Sequence, residues 1–173
     1  MSRVAAFLRA INVGGRVVKM DELRSILERA GFEGVQSLLA SGNIIFEART
    51  AAGHPAAIEK ALREALGYEV RAMLRTRGEL EAVLKHPAWL KEAVAKNVLL
   101  LERPLTAGEQ ASLRTLESPQ DQLIVDGAQV YWLCRVRQSE SLFSNVRFEK
   151  AVGVRATIRT LTTIERVATA LAD

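Results

Sequence analysis

The densest set of groups able to do chemistry lies between Arg9 and Lys19, where Arg9, Asn12, Arg16 and Lys19 surround Gly14-Gly15. Adjacent glycines let backbone N–H groups approach a ligand closely. The cations and the amide add charge and directed donors, a combination suited to phosphate or carboxylate. The spacing is neither that of a phosphate-binding loop, G-x-x-x-x-G-K-[ST], nor that of a dinucleotide fold, G-x-G-x-x-G, so no nucleotide motif follows. A competing reading is structural: the loop folds on itself and docks against Ser41-Gly42-Asn43. If a ligand binds here, Ser41 and Asn43 are expected to add neutral donors to the charge of Arg9 and Arg16.

A second cationic set occurs twice. Val70–Thr76 reads V-R-A-M-L-R-T and Val154–Thr160 reads V-R-A-T-I-R-T, five of seven positions identical at an offset of 84. As strands, these heptapeptides put Arg71, Met73 and Arg75 on one face and Val70, Ala72 and Leu74 on the other, and Arg155, Thr157 and Arg159 repeat the first set. With the valine side toward the helices, the arginines form a possible anion surface, Arg71, Arg75, Arg155 and Arg159. In related architectures such a surface holds nucleic-acid phosphates while aromatic side chains stack on bases. Aromatic residues make up only 5% of the chain. The alternative is that these arginines pair with carboxylates or are simply solvated.

Other chemistry is weakly supported. His54 and His86 are not at ligand spacing with cysteine or carboxylate, so neither a metal nor a cofactor is expected. Ser41 lacks a nucleophile elbow, and the Asp21-Glu22 pair suits a helix start better than paired-carboxylate catalysis. No catalytic residue is assigned. The lone cysteine, Cys134, fits a strand core position and cannot form an intrachain disulfide.

The elements that position these groups follow from periodicity. Val4–Leu8 is a buried strand, and Leu23, Ile26, Leu27 and Ala30 give one helix face, with Gly31 as the stop and Phe32 packing back on Leu27. Val35–Ala40 and Ile44–Ala48 make a hairpin around Ser41-Gly42-Asn43, with positive φ at Gly42 and tolerable at Asn43. A helix with Pro55 in its first turn and Ile58, Leu62, Ala65 and Leu66 on one face ends at Gly67, before the first heptapeptide. Thr76 and Glu79 then form a capping box.

The second half repeats this order. Val98–Glu102 is a strand, Thr106 and Glu109 form a capping box, Asp126-Gly127 turns a hairpin, a helix covers Leu142–Ala151, and the second heptapeptide precedes a last helix over about 162–171. The predicted fold class is α+β: two tandem ferredoxin-like (βαββαβ) α/β-plait subdomains related by internal duplication and packed together. The boundary falls between Lys85 and Asn97, in a stretch whose Trp89, Leu90 and Val94 suggest a short packed helix. This gives residues 1–88 and 89–173 as the two subdomains. Only the first half carries about ten extra residues between its opening strand and helix, and function tends to be grafted on such loops.

Composition sets the remaining bounds. The 173 residues are 49% hydrophobic and 25% charged, ordinary globular material. A net charge of +4 and a pI near 9.6 mildly favour anionic partners. The apolar run Val4–Leu8 is too short for a signal peptide and no segment reaches membrane-span length, so a cytoplasmic, membrane-free protein is expected.

Leu8-Arg9-Ala10-Ile11-Asn12-Val13-Gly14-Gly15, followed by Lys19-Met20, Leu23, Gly31-Phe32 and Ser41-Gly42-Asn43, closely resembles the hallmarks of the bacterial family called domain of unknown function 1697 (DUF1697). Glu149-Lys150, Gly153, Thr157 and Arg159 are similar to its C-terminal motif, while Ala10 replaces a usual glycine and Thr160-Leu161 a usual Asn-Trp. The resemblance implies two ferredoxin-like subdomains and brings no established activity. The expected function is non-catalytic binding of an anionic ligand, a nucleotide or nucleic acid. The alternative is an enzyme acting on a small phosphorylated or carboxylated substrate at the Gly14-Gly15 loop.

Overall fold

The structure, a computed structural model, describes residues 2–12, 15–49 and 54–173. It is mixed α+β, with two four-stranded antiparallel sheets and, among the described residues, six α-helices. The first sheet comprises β1 (Ser2–Arg9), β2 (Glu33–Leu38), β3 (Asn43–Ala48) and β4 (Arg71–Thr76), in the order β2-β3-β1-β4. Helices α1 (Met20–Arg29) and α2 (His54–Leu66) connect them, and α3 (Arg77–Leu84) follows β4. The second sheet comprises β5 (Ala95–Leu101), β6 (Asp121–Asp126), β7 (Gln129–Cys134) and β8 (Ala156–Thr160), in the order β6-β7-β5-β8. Helices α4 (Ala107–Arg114) and α5 (Asn145–Val152) connect its strands, and α6 (Leu161–Ala172) follows β8.

Contacts group Met1–Glu81 with Arg166–Asp173 as one compact unit and Ala82–Glu165 as another. In the first unit, alternation along β1 sends Val4, Ala6 and Leu8 to a core shared with Leu23, Ile26 and Leu27 of α1 and Ile58 and Leu62 of α2. The opposite face is buried as well, since Ala5, Phe7, Ile45 and Met73 are at most 2% exposed. In the second unit, Leu113 of α4 and Phe148 and Val152 of α5 cover Leu99, Leu101, Val130 and Trp132.

The helix ends form as their residues dictate. Gly31, at φ 93°, closes α1 in a Schellman motif: Phe32 N–H donates to Leu27 O at 3.1 Å and Gly31 N–H to Glu28 O at 3.0 Å. Both Thr-x-x-Glu sequences make reciprocal capping bonds, Thr76 with Glu79 and Thr106 with Glu109. Arg103 also bonds Glu109 and, with Thr106, holds its carboxyl at about 2.

Three expectations shift. The first hairpin closes at Leu38–Asn43, so Asn43 is a strand residue and the positive φ falls on Leu39 (60°) as well as Gly42 (81°). Helix α5 starts at Asn145, because Ser144 accepts the Arg147 N–H as its N-cap and leaves Leu142 exposed ahead of it. The 3₁₀ turn Pro87–Leu90 does form and Trp89 is buried, its Nε1–H on Val83 O at 2.7 Å, but Leu90 and Val94 face solvent. No helix among the described residues is long and apolar enough to cross a membrane.

Candidate functional site

The pairing of β1 with β3 fixes the site. Phe7 lies opposite Asn43 and Leu8 N–H donates to Gly42 O at 2.9 Å, so the chain leaving β1 runs against the turn entering β3. Asn12 joins the two: its Nδ2 donates to Ala40 O at 2.8 Å while its Oδ1 accepts from Val18 N–H at 2.8 Å. Asn43, fully buried, donates from Nδ2 to Leu38 O and to Ser41 Oγ, both at 2.9 Å. These bonds tie Asn12 and Asn43, both expected as ligand donors, to the loop and turn themselves. Ile11 and Val18, 2% and 5% exposed, anchor the loop to the core on either side of the exposed Gly15, Arg16 and Val17.

The cations are disposed differently. Arg16 is exposed and sits over the Tyr68 ring, 4.3 Å from its centroid, while Tyr68 Oη–H donates to Ile11 O at 3.2 Å. Lys19 is exposed at the start of α1, whose N-terminus has no side-chain cap. Among the described residues neither Arg16 nor Lys19 forms an ion pair. Arg9 is half-buried in register with Arg71, Ser41 is exposed, and Gly15 is exposed with φ 79°. Gly14 lies outside the described residues.

Backbone strain gathers here. The positive-φ non-glycine residues among the described residues are Ala10 (67°), just after β1, and Leu39 (60°), in the facing turn. An L-residue in this region costs about 1–2 kcal/mol, so the surrounding bonds must hold it in place. Gly42 is required by space as well as by φ, because a Cβ there would lie 2.5 Å from Ile11 Cγ2.

The motif residues Leu8–Asn12 and Ser41–Asn43 therefore meet at one end of the first sheet, and residues 1–131 match the family model described as protein of unknown function (DUF1697). The chain belongs to the DUF1697 family. A DUF1697 chain resembles in structure the conserved bacterial protein SP0830 from Streptococcus pneumoniae, at 25% sequence identity and a TM-score of 0.73, with 100% of this chain and 99% of that chain covered. No curated protein matches.

The second cationic set of this DUF1697 protein is not the open surface its alternation suggested. Arg75 and Arg159 are 6% and 7% exposed, since the strand face opposite the valines is itself buried. Arg75 donates to Leu74 O at 2.8 Å, and Arg159 donates from Nη1 to Thr157 Oγ1 at 2.6 Å and Ile158 O at 2.9 Å. Burial pushes the Arg159 guanidinium down to about 10. Arg71 is paired with Glu69 at 2.8 Å and Glu59 at 3.6 Å, leaving Arg155 as the exposed member of the set.

Three contributions escaped the sequence reading. Tyr68 directly after the helix-ending Gly67 was the available signal for a platform under Arg16. Glu59 of α2 and Glu149 of α5 accept the N–H groups of Ala72 and Ala156, which covers an edge amide of β4 and of β8. Asp121, 2% exposed, accepts from Trp132 Nε1, Cys134 Sγ and Ser141 Oγ at Oδ1 and from Ser118 Oγ at Oδ2. Burial opposes its ionisation, but these donors outweigh it and hold the carboxyl below its ordinary range. Burial and the Asp121 carboxylate push the Cys134 thiol up to about 12, which makes it inert.

Proposed function

We propose that this protein binds a phosphate-bearing ligand, a nucleotide or a nucleic-acid strand, at the Arg9–Lys19 loop without catalysing a reaction. One observation carries the reading: the two left-handed non-glycine residues among the described residues, Ala10 and Leu39, fall in the loop that carries Arg16 and Lys19, neither in an ion pair among the described residues, and in the turn facing it. Strain held at one place by deliberate hydrogen bonds, beside uncompensated charge, is the pattern of a preorganised binding site. Arg16 on Tyr68 adds a flat cationic platform suited to phosphate or base.

The two units are, on this reading, copies of one ferredoxin-like βαββαβ module. Equivalent strand orders, the heptapeptides at an offset of 84 and the matching Glu59–Ala72 and Glu149–Ala156 bonds support the duplication. Loss of the loop from the second copy would leave binding to the first. A cytoplasmic location accords with these ligands.

The test is thermal unfolding with ATP, pyrophosphate and a twelve-nucleotide oligo(dT), each at low and high salt. A ligand present at 100 times its Kd adds about 2.7 kcal/mol of stability. Stabilisation by the oligonucleotide that disappears in salt marks a nucleic-acid site, whereas stabilisation by ATP that persists marks a nucleotide site. No shift with any of the three sinks the proposal.

A further inference from the structure

A groove of about 1020 Å³ lies on the second unit, and no residue of the Arg9–Lys19 loop lines it. Its floor is a row across the sheet. Lys96 of β5 and Gln122 of β6 both lie opposite Leu133 of β7, so the three side chains share one face, the one turned away from Trp132, α4 and α5. The segment Lys91–Val94 walls one side and Arg135 closes another. These borders are fixed by backbone bonds: Val94 N–H donates to Cys134 O at 2.7 Å and Arg135 N–H to Gln120 O at 2.8 Å.

The lining has a definite chemistry. Lys91, Lys96 and Arg135 face a single carboxylate, Glu92, and among the described residues none of the four forms an ion pair. Lys96 is held in place by donating to Trp89 O at 2.7 Å, which leaves the other two ammonium N–H groups for a ligand. The exposed Val94 adds apolar surface beside the cations, Leu133 in the floor is only 3% exposed, and Gln122 adds a neutral donor and acceptor. The volume is at the upper end of small-molecule sites, which run to roughly 1,000 Å³.

We propose that this groove binds a small amphipathic organic anion, with its phosphate, sulfonate or carboxylate on Lys96 and Arg135 and its apolar body against Val94. Positive charge beside apolar surface selects against both a bare inorganic anion, which makes no use of Val94, and a neutral apolar molecule, which leaves the cations unpaired. The groove shares no lining residue with the loop of the first unit.

The probe is 8-anilinonaphthalene-1-sulfonate, whose fluorescence rises in an apolar site, titrated into the intact chain. The expected result is saturation at one molecule per chain, with affinity weakened about tenfold in each of Lys96→Gln and Arg135→Gln, the equivalent of 1.4 kcal/mol for one charge-assisted hydrogen bond. Arg16→Ala should leave the titration unchanged. If Lys96→Gln fails to fold after losing its bond to Trp89 O, the exposed Arg135→Gln variant decides alone. The proposal is overturned by absence of saturable binding, by unchanged affinity in folded Arg135→Gln, or by displacement of the probe by oligo(dT) but not by an alkyl phosphate.

Discussion

Replacing Gly42 by alanine attacks the contact between loop and turn from within. At φ 81° an L-residue costs about 1–2 kcal/mol, as for any left-handed non-glycine position. The new methyl would also stand 2.5 Å from Ile11 Cγ2 and 3.2 Å from Leu8 Cβ, and both neighbours are buried, at 2% and 1% exposure. Relief therefore requires core side chains to move, an overpacking cost of about 1–3 kcal/mol. The total is about 2–5 kcal/mol, and at about 2–4 °C per kcal/mol for a chain of this size, Tm should fall by roughly 4–20 °C. Because Ile11 precedes Asn12, the displacement should pass into the loop and weaken anion binding in the same variant. Thermal unfolding followed by far-ultraviolet circular dichroism, with a binding titration on the same sample, measures both effects. A Gly42→Ala protein within about 0.5 kcal/mol of the parent would refute the packing of Ile11 beneath the turn.

The converse change, Ala10→Gly, should stabilise by about 0.5–1 kcal/mol, the relief at φ 67° less the extra unfolded-state entropy of glycine, and urea denaturation reads the sign. Asn12→Ala removes two bonds that join loop and turn, and should cost about 1–3 kcal/mol in the same assay while reducing affinity for the anion. Asp121→Ala leaves the buried Trp132 N–H without its acceptor and should cost about 3–5 kcal/mol. Since the Asp121 carboxyl titrates below its ordinary range in the folded chain, its contribution is complete above about pH 4 and is lost as pH falls further. Asp121→Asn should therefore flatten the acid limb of the stability profile, and an unchanged limb would contradict the assignment. Cys134, fully buried with its thiol at about 12, should not react with Ellman's reagent until the protein unfolds.

Much of the fold was legible because local rules agreed with one another. Gly31 and Phe32 ended α1 as their types required, and Asp126-Gly127 turned the β6–β7 hairpin, with Gly127 at φ 58°. The meeting of loop and turn could also be read, since it follows from strand order alone. Which side chains would remain available was not legible. Asn12 and Asn43 have the types of ligand donors, but both also bond backbone groups of the loop and turn, and sequence carries no record of that competition. Alternation placed Arg75 and Arg159 on one face correctly, but it cannot say whether a strand's second face is covered. Strain at Ala10 had a trace, the departure from a usual glycine, whereas Leu39 had none.

The central claim is a location, so amide chemical shifts of the labelled protein during titration with ATP or oligo(dT) test it most directly. The expected result is that the largest changes fall on the Gly15–Lys19 and Ala40–Gly42 amides and disappear in Arg16→Ala. Changes confined to other parts of the chain, around Arg155 for example, or no change at millimolar ATP and saturating oligo(dT), would contradict it.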